Sequence, residues 1–480
     1  MIHARSGGRT TPLPKYRSEA VFVGLVMCAA IAMVGLWNHV ILLGHGPDEV
    51  LHFNLDWYIA THQALPVLDR SPDFVRTFCD SRACADTYAT APVGGPLLGT
   101  ALIDIQHVVT GQAYWQHPPH AVLAMVYRVI DHNVSSQSYD PFITAARLAS
   151  ALSIVVFVLF LYLTSRLLMD DRGTRLTALI IGAFIPQVTF LGGYVNDDSF
   201  GLAAGAAVLY ASGLLLRDGL RRGTALAVGA SLGCLALSKE NYYAVILVFA
   251  LCAALRLRRE WRRRTARRFI GLLTLGTALG ALLSGWWFVR NALLYSDALG
   301  LTATGRAMDA ISPGYSIHHS LAAQHYTILD LLRRTLWVRM SFRSFWGYFG
   351  NMGIALPDNI YVYITLCAVI GLAGTIHSGL THLIVRRYSV HIEPWRTQLW
   401  GAFIGLVVVM LLLSLWSSWV KDYQPQGRYL FPSLVPVALL LAIGLHGWSR
   451  NRLYRRLIFY LTMVAMGSLN IYALVFVLGQ

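Results

Sequence analysis

Charged residues are scarce in this sequence, and acids are scarcer than bases. Only 13 % of its 480 residues are Asp, Glu, Lys or Arg, whereas 56 % are hydrophobic. A water-soluble globule already leaves much apolar surface exposed and cannot bury so large a share. Lipid must therefore serve as part of the solvent. Cysteine is also rare, and six residues exclude a disulfide scaffold. Internal repeats are missing, which counts against a secondary transporter built from paired halves. The bases exceed the acids by 39 to 24, a formal net charge of +15. That excess does not point to nucleic acid. The bases gather in short runs between apolar stretches, where they orient a membrane protein.

What is abundant is long apolar sequence. Runs of roughly eighteen residues suffice to cross the hydrocarbon core. They fall near 20–43, 142–168, 174–192, 199–216, 223–238, 241–256, 269–289, 359–384, 398–419, 429–448 and 457–478. The expectation is an all-α polytopic protein of about eleven spans, in one integral membrane domain over 1–480. The fifth and sixth runs are short, separated only by Ser238-Lys239-Glu240-Asn241. The first run follows Arg5, Arg9, Lys15 and Arg17 but is too long for a signal-peptide core and lacks a small-residue cleavage site, so it reads as an uncleaved span.

Lys and Arg set the orientation. They crowd the 1–19 tail and the loops Met169–Arg175, Arg217–Gly223, Arg256–Arg268, Val385–Arg396 and Ser449–Arg456. The positive-inside rule places those segments in the cytoplasm. Two long segments then face outward, 44–141 and 290–358, with amphipathic patches at Leu97–Val109 and Ile328–Met340 that suit interfacial helices. Cys79 and Cys84 lie in the first of these, and an oxidising compartment would allow a local disulfide between them.

Polar motifs concentrate at the outward helix ends. His45-Gly46-Pro47-Asp48-Glu49-Val50-Leu51-His52-Phe53 directly follows the first span. Paired carboxylates at a membrane boundary are costly unless hydrated, paired or used, although Asp48 can also be read as a helix cap. Tyr194–Asp198, Ser238–Asn241, Trp286–Asn291, Ser344–Gly350 and Gln424–Leu430 fall on the same side. A site that accepts a charged headgroup from the outer leaflet requires such a gathering; a purely structural role does not.

These motifs resemble the GT-C superfamily of membrane glycosyltransferases, and in particular its bacterial branch. Pro47-Asp48-Glu49 with His52-Phe53 matches the acidic motif after the first span, and Gln116-His117-Pro118-Pro119-His120 is similar to a stretch late in the first outer loop. Arg147, Asn196-Asp197 and Gln426-Gly427-Arg428-Tyr429-Leu430 complete the likeness. The resemblance implies a GT-C-like fold in a bacterial inner membrane, with a periplasmic site acting on a polyprenyl-phosphate-linked sugar donor and a glycan, lipid or protein acceptor. The sequence lacks a sizeable C-terminal soluble domain, which favours transfer of a single sugar.

Transfer from a lipid phosphate needs a general base for the acceptor hydroxyl and cations for the leaving phosphate. Asp48 is the candidate base, with Glu49 orienting it or binding an ion. Arg428 is the first choice for the phosphate, then Lys421, Arg290, Lys239 and Arg343, because arginine offers a planar fork of donors. His52, His117, Asn196, Asp197, Gln426 and Tyr429 are the candidate substrate contacts. One-step displacement would invert the anomeric carbon. Competing structural readings are helix capping for Asp197 and Asp198, interfacial snorkelling for Arg290 and Arg343, and a Lys239–Glu240 pair. The tryptophans read more readily as an interfacial belt than as a sugar platform. No cofactor is implied firmly. The histidines show no metal-ligand spacing, and a divalent cation at Asp48 stays open. Two other functional classes compete: a transporter or flippase of a glycolipid or anionic solute, and a glycan polymerase or ligase. Mid-span stretches almost free of charge argue against the first, and the acidic motif after the first span against the second.

Overall fold

The computed structural model describes residues 14–42, 44–67, 92–110, 141–300, 302, 320–386 and 393–480. Helices dominate them, in the order α1 (Pro14–Val40), α2 (Glu49–His62), α3 (Gly94–Thr110), α4 (Pro141–Leu168), α5 (Arg172–Ala183), α6 (Pro186–Gly192), α7 (Asp198–Asp218) and α8 (Arg222–Ala236). A 3-10 turn at Glu240–Ala244 leads into α9 (Val245–Arg262) and α10 (Ala266–Tyr295). Then come α11 (Ile328–Arg334), α12 (Trp337–Trp346), a small antiparallel hairpin β1 (Tyr348–Phe349) and β2 (Ile354–Ala355), and α13 (Asp358–Arg386). The chain ends with α14 (Pro394–Val420), a 3-10 segment at Gly427–Ser433, α15 (Leu434–Gly447) and α16 (Arg452–Leu478).

Each of the eleven apolar runs forms helix, but not all are equally long. Among the described residues nine helices are long and apolar enough to cross a membrane, and α5 with α6 makes a tenth if that bent pair is one span. The fifth run yields only the 15-residue α8. It lies along α10 through small residues: an added Cβ at Gly276 would sit 2.6 Å from the Ala225 carbonyl, and one at Gly229 would collide with the Gly276 carbonyl. Helices approach this closely in lipid because van der Waals packing replaces the hydrophobic effect between them. Gly371, Gly374 and Gly444 let α13 and α15 pack in the same way.

The break between α5 and α6 has a stated cause. Pro186 has no backbone N–H, and the two helices meet at 56°. Asn470 of α16 repairs the gap. Its Nδ2 donates to the Phe184 carbonyl at 2.6 Å, and its Oδ1 accepts from the Thr189 hydroxyl at 2.6 Å. Trp37 donates to that hydroxyl at 3.0 Å. Irregular backbone at membrane depth is tolerated only where such partners exist.

Polar contacts collect at the two ends of the bundle. One end holds the pairs Glu19–Arg175 (2.8 Å), Asp170–Arg396 (2.6 Å) and Asp171–Arg455 (3.2 Å), together with the arginine-rich stretch that closes α9. The other end carries fewer bases than this one, and the candidate residues lie there. The interfacial patches expected from sequence are helical: Leu97–Val109 forms most of α3, and Ile328–Met340 forms α11 and the start of α12. The span expected over 269–289 continues to Tyr295 as α10, so the second long segment begins later than its expected start at residue 290. Cys79, Cys84, His117 and His120 lie outside the described residues.

Candidate active site at the base-poor end

The acidic motif forms a tight turn between α1 and α2. Gly46 packs on the Tyr194 ring so closely that any Cβ there would collide with it. Asp48 follows at the N-cap of α2 with φ 61° and ψ 9°, a left-handed conformation unusual for a residue other than glycine. It makes no side-chain cap bond, and its side chain is 51 % exposed. The capping reading is therefore not realised; the carboxylate faces outward instead.

Glu49 behaves differently. It is fully buried and receives Arg147 of α4 through two bonds, Nε to Oε1 at 2.7 Å and Nη2 to Oε2 at 3.0 Å. The backbone N–H groups of Gly44 and Val195 also donate to it, each at 3.2 Å. Arg147 in turn donates to the carbonyls of Asn38 (2.7 Å) and Ile41 (2.9 Å). This network ties the end of α1, the acidic turn, α4 and the turn before α7 into one unit. The geometry gives Glu49 a positioning role and leaves no oxygen of it directed at solvent.

The α6–α7 turn supplies further members. The Asn196 amide donates to the carbonyls of Leu191 and Tyr194, both at 2.7 Å, and its Oδ1 accepts from Ser199 N–H at 2.8 Å. Both ends are engaged, so Asn196 shapes the turn and caps α7 rather than reaching for a sugar. Asp197 occupies the N-cap position without a side-chain cap bond and faces His52 instead, Oδ2 to Nδ1 at 3.4 Å. Burial raises the Asp197 carboxyl above its usual range, and His52 and Lys239 oppose part of that rise.

Arg428 completes the cluster from the far end of the chain. Gly427 permits this, because a Cβ there would strike the Phe345 backbone of α12; its N–H donates to Ser344 Oγ at 2.7 Å. The Arg428 guanidinium, 7 % exposed, reaches Asp48 Oδ2 at 3.5 Å and Asp198 Oδ2 at 3.7 Å, and it lies 5.6 Å from the Tyr429 ring centre. Its Nε has no hydrogen-bond partner among the described residues. Lys239 meets Asp198 at 3.3 Å, not Glu240 as one sequence reading allowed. Burial works most strongly against the Lys239 charge, but Asp198, Tyr429 and Asp197 together outweigh it and the pKa is raised. Asp198 thus bridges the two cations.

Of the remaining candidates, Arg290, Arg343 and Lys421 are not part of this group. Arg290 donates to the Pro66 carbonyl and stacks 5.0 Å from Trp287. Arg343 pairs with Asp358 at 2.6 Å and lies 4.6 Å from the Tyr361 ring. Lys421 caps the end of α14, exposed and without an ion pair among the described residues. The Tyr429 hydroxyl bonds to Gln424, and the Gln426 carbonyl accepts from Tyr429 N–H at 3.2 Å. Sequence reasoning missed one group. Asp56 is 1 % exposed on the same face of α2 as His52. The four-residue spacing 48, 52, 56 was the available signal.

Among the described residues no three His, Cys, Asp or Glu side chains converge on a shared point, and the neighbour of Asp48 is a guanidinium that would repel a metal. Apart from the polar cluster, an apolar groove of about 610 Å³ opens between α13, α15 and α16; Trp346, Tyr363, Cys367, Leu441, Ala465 and Tyr472 are among its walls.

Comparison with solved structures shows the fold. ArnT from Cupriavidus metallidurans, solved bound to undecaprenyl phosphate, superposes with a TM-score of 0.52 at 12 % identity, over 96 % of this chain and 77 % of that one. The oligosaccharyltransferase of Archaeoglobus fulgidus, solved with zinc and sulfate, gives 0.50 at 15 % identity, over 94 % of this chain and 53 % of that one. At such identities the likeness is one of fold, the polytopic GT-C architecture. A search of curated protein sequences found no match. The family described as "Predicted membrane protein (DUF2142)" matches residues 133–441, and the chain belongs to that family.

Proposed function

We propose that this protein is a glycosyltransferase that takes a sugar from a polyprenyl-phosphate donor at the base-poor, extracytoplasmic end of the bundle. The observation that carries this reading is the meeting of Asp48 and Arg428, an exposed carboxylate and a buried guanidinium 3.5 Å apart. Transfer needs that pair of charges side by side. The acceptor oxygen attacks the anomeric carbon, the bond from that carbon to the phosphate oxygen breaks, and the acceptor proton passes to the Asp48 carboxylate. The lipid phosphate leaves with the electron pair, beside Arg428 and Lys239. An incoming phosphate competes with Asp48 for Arg428 and so frees the carboxylate to act as base. Attack opposite the leaving group inverts the anomeric configuration.

The apolar groove supports a lipid-linked donor. Trp346 on its wall directly follows Phe345, against which Gly427 packs, so the groove adjoins the segment that carries Arg428. A structural neighbour solved with undecaprenyl phosphate agrees with this choice of donor. The experiment is incubation of purified protein with a panel of polyprenyl-phosphate sugars and candidate glycan, lipid and protein acceptors. Wild type is compared with Asp48→Asn, and product stereochemistry is read by NMR. Turnover of Asp48→Asn equal to wild type removes Asp48 as base; a retained anomeric configuration removes the one-step displacement.

A further inference from the structure

His52 and Asp56 stand four residues apart on α2 and share one face of it, and Asp48 precedes them at the N-cap. Burial deepens from the exposed Asp48 through His52, 9 % exposed, to Asp56, 1 % exposed. His52 meets Asp197. Asp56 meets no cation: among the described residues it forms no ion pair, and its Oδ1 accepts no hydrogen bond. Gly99 of α3 presses against the carboxyl so tightly that a Cβ would collide with Oδ2. Beside it lies a narrow cavity, with room for about one water molecule, whose walls include His52, Asp56, Ser150, Asn196 and Asp197. A carboxylate so enclosed and uncompensated takes up a proton rather than bear the desolvation cost.

We propose that Asp56 works as a neutral carboxylic acid, a positioning residue that keeps its proton and hydrogen-bonds through a water in this cavity to Asp197, and so holds the His52–Asp197 pair in register with α2. The proposal rests on the reading of this end of the bundle as the reaction site. Among titratable groups on the elements packed around α2 are Asp104 and His107 on α3, Arg147 on α4, Asp197 at the N-cap of α7 and Asp198 at its first position. Arg147 is held by Glu49, and Asp198 by Lys239 and Arg428. Asp197 shares the cavity wall with Asp56. Burial first, and then the charge of Asp197, pushes the Asp56 carboxyl well above the usual carboxylate range. A neutral Asp56 adds no second negative charge beside the His52–Asp197 pair.

The test uses the full-length protein in nanodiscs, as wild type, Asp56→Asn and Asp56→Ala. Infrared spectra of protein labelled with [4-13C]aspartate at neutral pH are expected to contain a protonated-carboxyl stretch in wild type that Asp56→Asn lacks. The melting temperature of wild type is expected to fall as pH rises above about 4, the range in which the unfolded carboxyl has ionised and the folded one has not. Asp56→Asn is expected to make that slope shallower, leaving the share that the raised Asp197 carboxyl contributes. Because the amide keeps a donor and the shape, Asp56→Asn should retain donor turnover within about tenfold while Asp56→Ala falls by about a hundredfold, about 1.4 and about 2.8 kcal/mol respectively. The proposal is overturned if the substitution removes no such band, if the pH slope is unchanged, or if alanine and asparagine are equivalent. The first two readouts decide the charge of Asp56 whether or not the protein transfers sugar, so failure of the enzymatic reading would be seen separately.

Discussion

Arg428 sits between Asp48 and Asp198, 3.5 Å from one carboxylate and 3.7 Å from the other, with Tyr429 beside it. One guanidinium therefore joins the acidic turn after α1 to the start of α7, and does so from the segment between α14 and α15. If it also holds the donor phosphate, Arg428→Ala should raise the donor KM and lower kcat/KM by on the order of a hundredfold, the usual effect of removing one oriented donor. Arg428→Lys should recover only part of this, since an ammonium cannot serve two partners in a plane. Arg450→Ala, at the opposite end of the bundle, is the control. Equal losses in Arg428→Ala and Arg450→Ala, measured with the same donor, would show that the phosphate binds elsewhere.

Asp48→Asn should lower kcat by about a hundredfold or more, the range of general-base catalysis, while leaving the melting temperature close to wild type. The side chain is half-exposed and caps nothing, so its loss has little structural consequence. A parallel fall in melting temperature would mean that the residue acts in folding.

Glu49 reverses that pattern. Removing either member of a buried pair leaves an uncompensated charge at a cost of about 3–5 kcal/mol. Arg147 and Glu49 are essentially fully buried. Glu49→Ala and Arg147→Ala should each reduce the yield of folded protein and lower the melting temperature sharply. The double variant Glu49→Leu with Arg147→Met should be milder than the sum of the two, because no lone charge remains. Additive losses in the double variant would refute this account of the pair.

The contrast between these neighbouring acids marks where sequence ceases to be informative. The spans were legible, because apolar length is read directly from composition. The acidic turn and the Gln426–Leu430 motif were legible as polar residues at helix ends. Their partners were not. Nothing local separates Glu49 from Asp48: the difference arises because Arg147, nearly a hundred positions later, reaches one and not the other. Arg290 and Arg343 carried the same local signal as Arg428, yet α10 directs one to Pro66 and α12 directs the other to Asp358. Lys239 lay next to Glu240 in sequence but faces Asp198 in space. Side-chain pairing across helices depends on packing, which periodicity does not encode. Asp56 was passed over because a single acid in an aromatic-rich stretch has no motif around it.

Asn470 offers a test of the fold that is independent of chemistry. It satisfies the Phe184 carbonyl at the Pro186 break and joins Thr189 and Trp37. Asn470→Leu should cost about 1–2 kcal/mol, typical of a polar contact between helices in lipid. Asn470→Asp should be worse, because it places a charge at membrane depth. Melting in detergent reads both. An unchanged melting temperature in Asn470→Leu would show that the bend at α5–α6 is stable without the clasp.

The apolar groove makes the last prediction, on the length of the donor's chain. Ala465 of α16 is exposed on its wall, and Ala465→Trp would fill part of it. Displacing even two methylene groups costs about 1.6 kcal/mol at roughly 0.8 kcal/mol each, or about tenfold in affinity. A donor carrying a long polyprenyl chain should therefore show a raised KM with Ala465→Trp. A donor with a single isoprene unit, too short to enter the groove from the phosphate site, should be unaffected. The two donors share the same headgroup, so the ratio of their KM values isolates the chain. If tryptophan raises both equally, the groove has no part in binding the carrier and its chain lies along another face of the bundle.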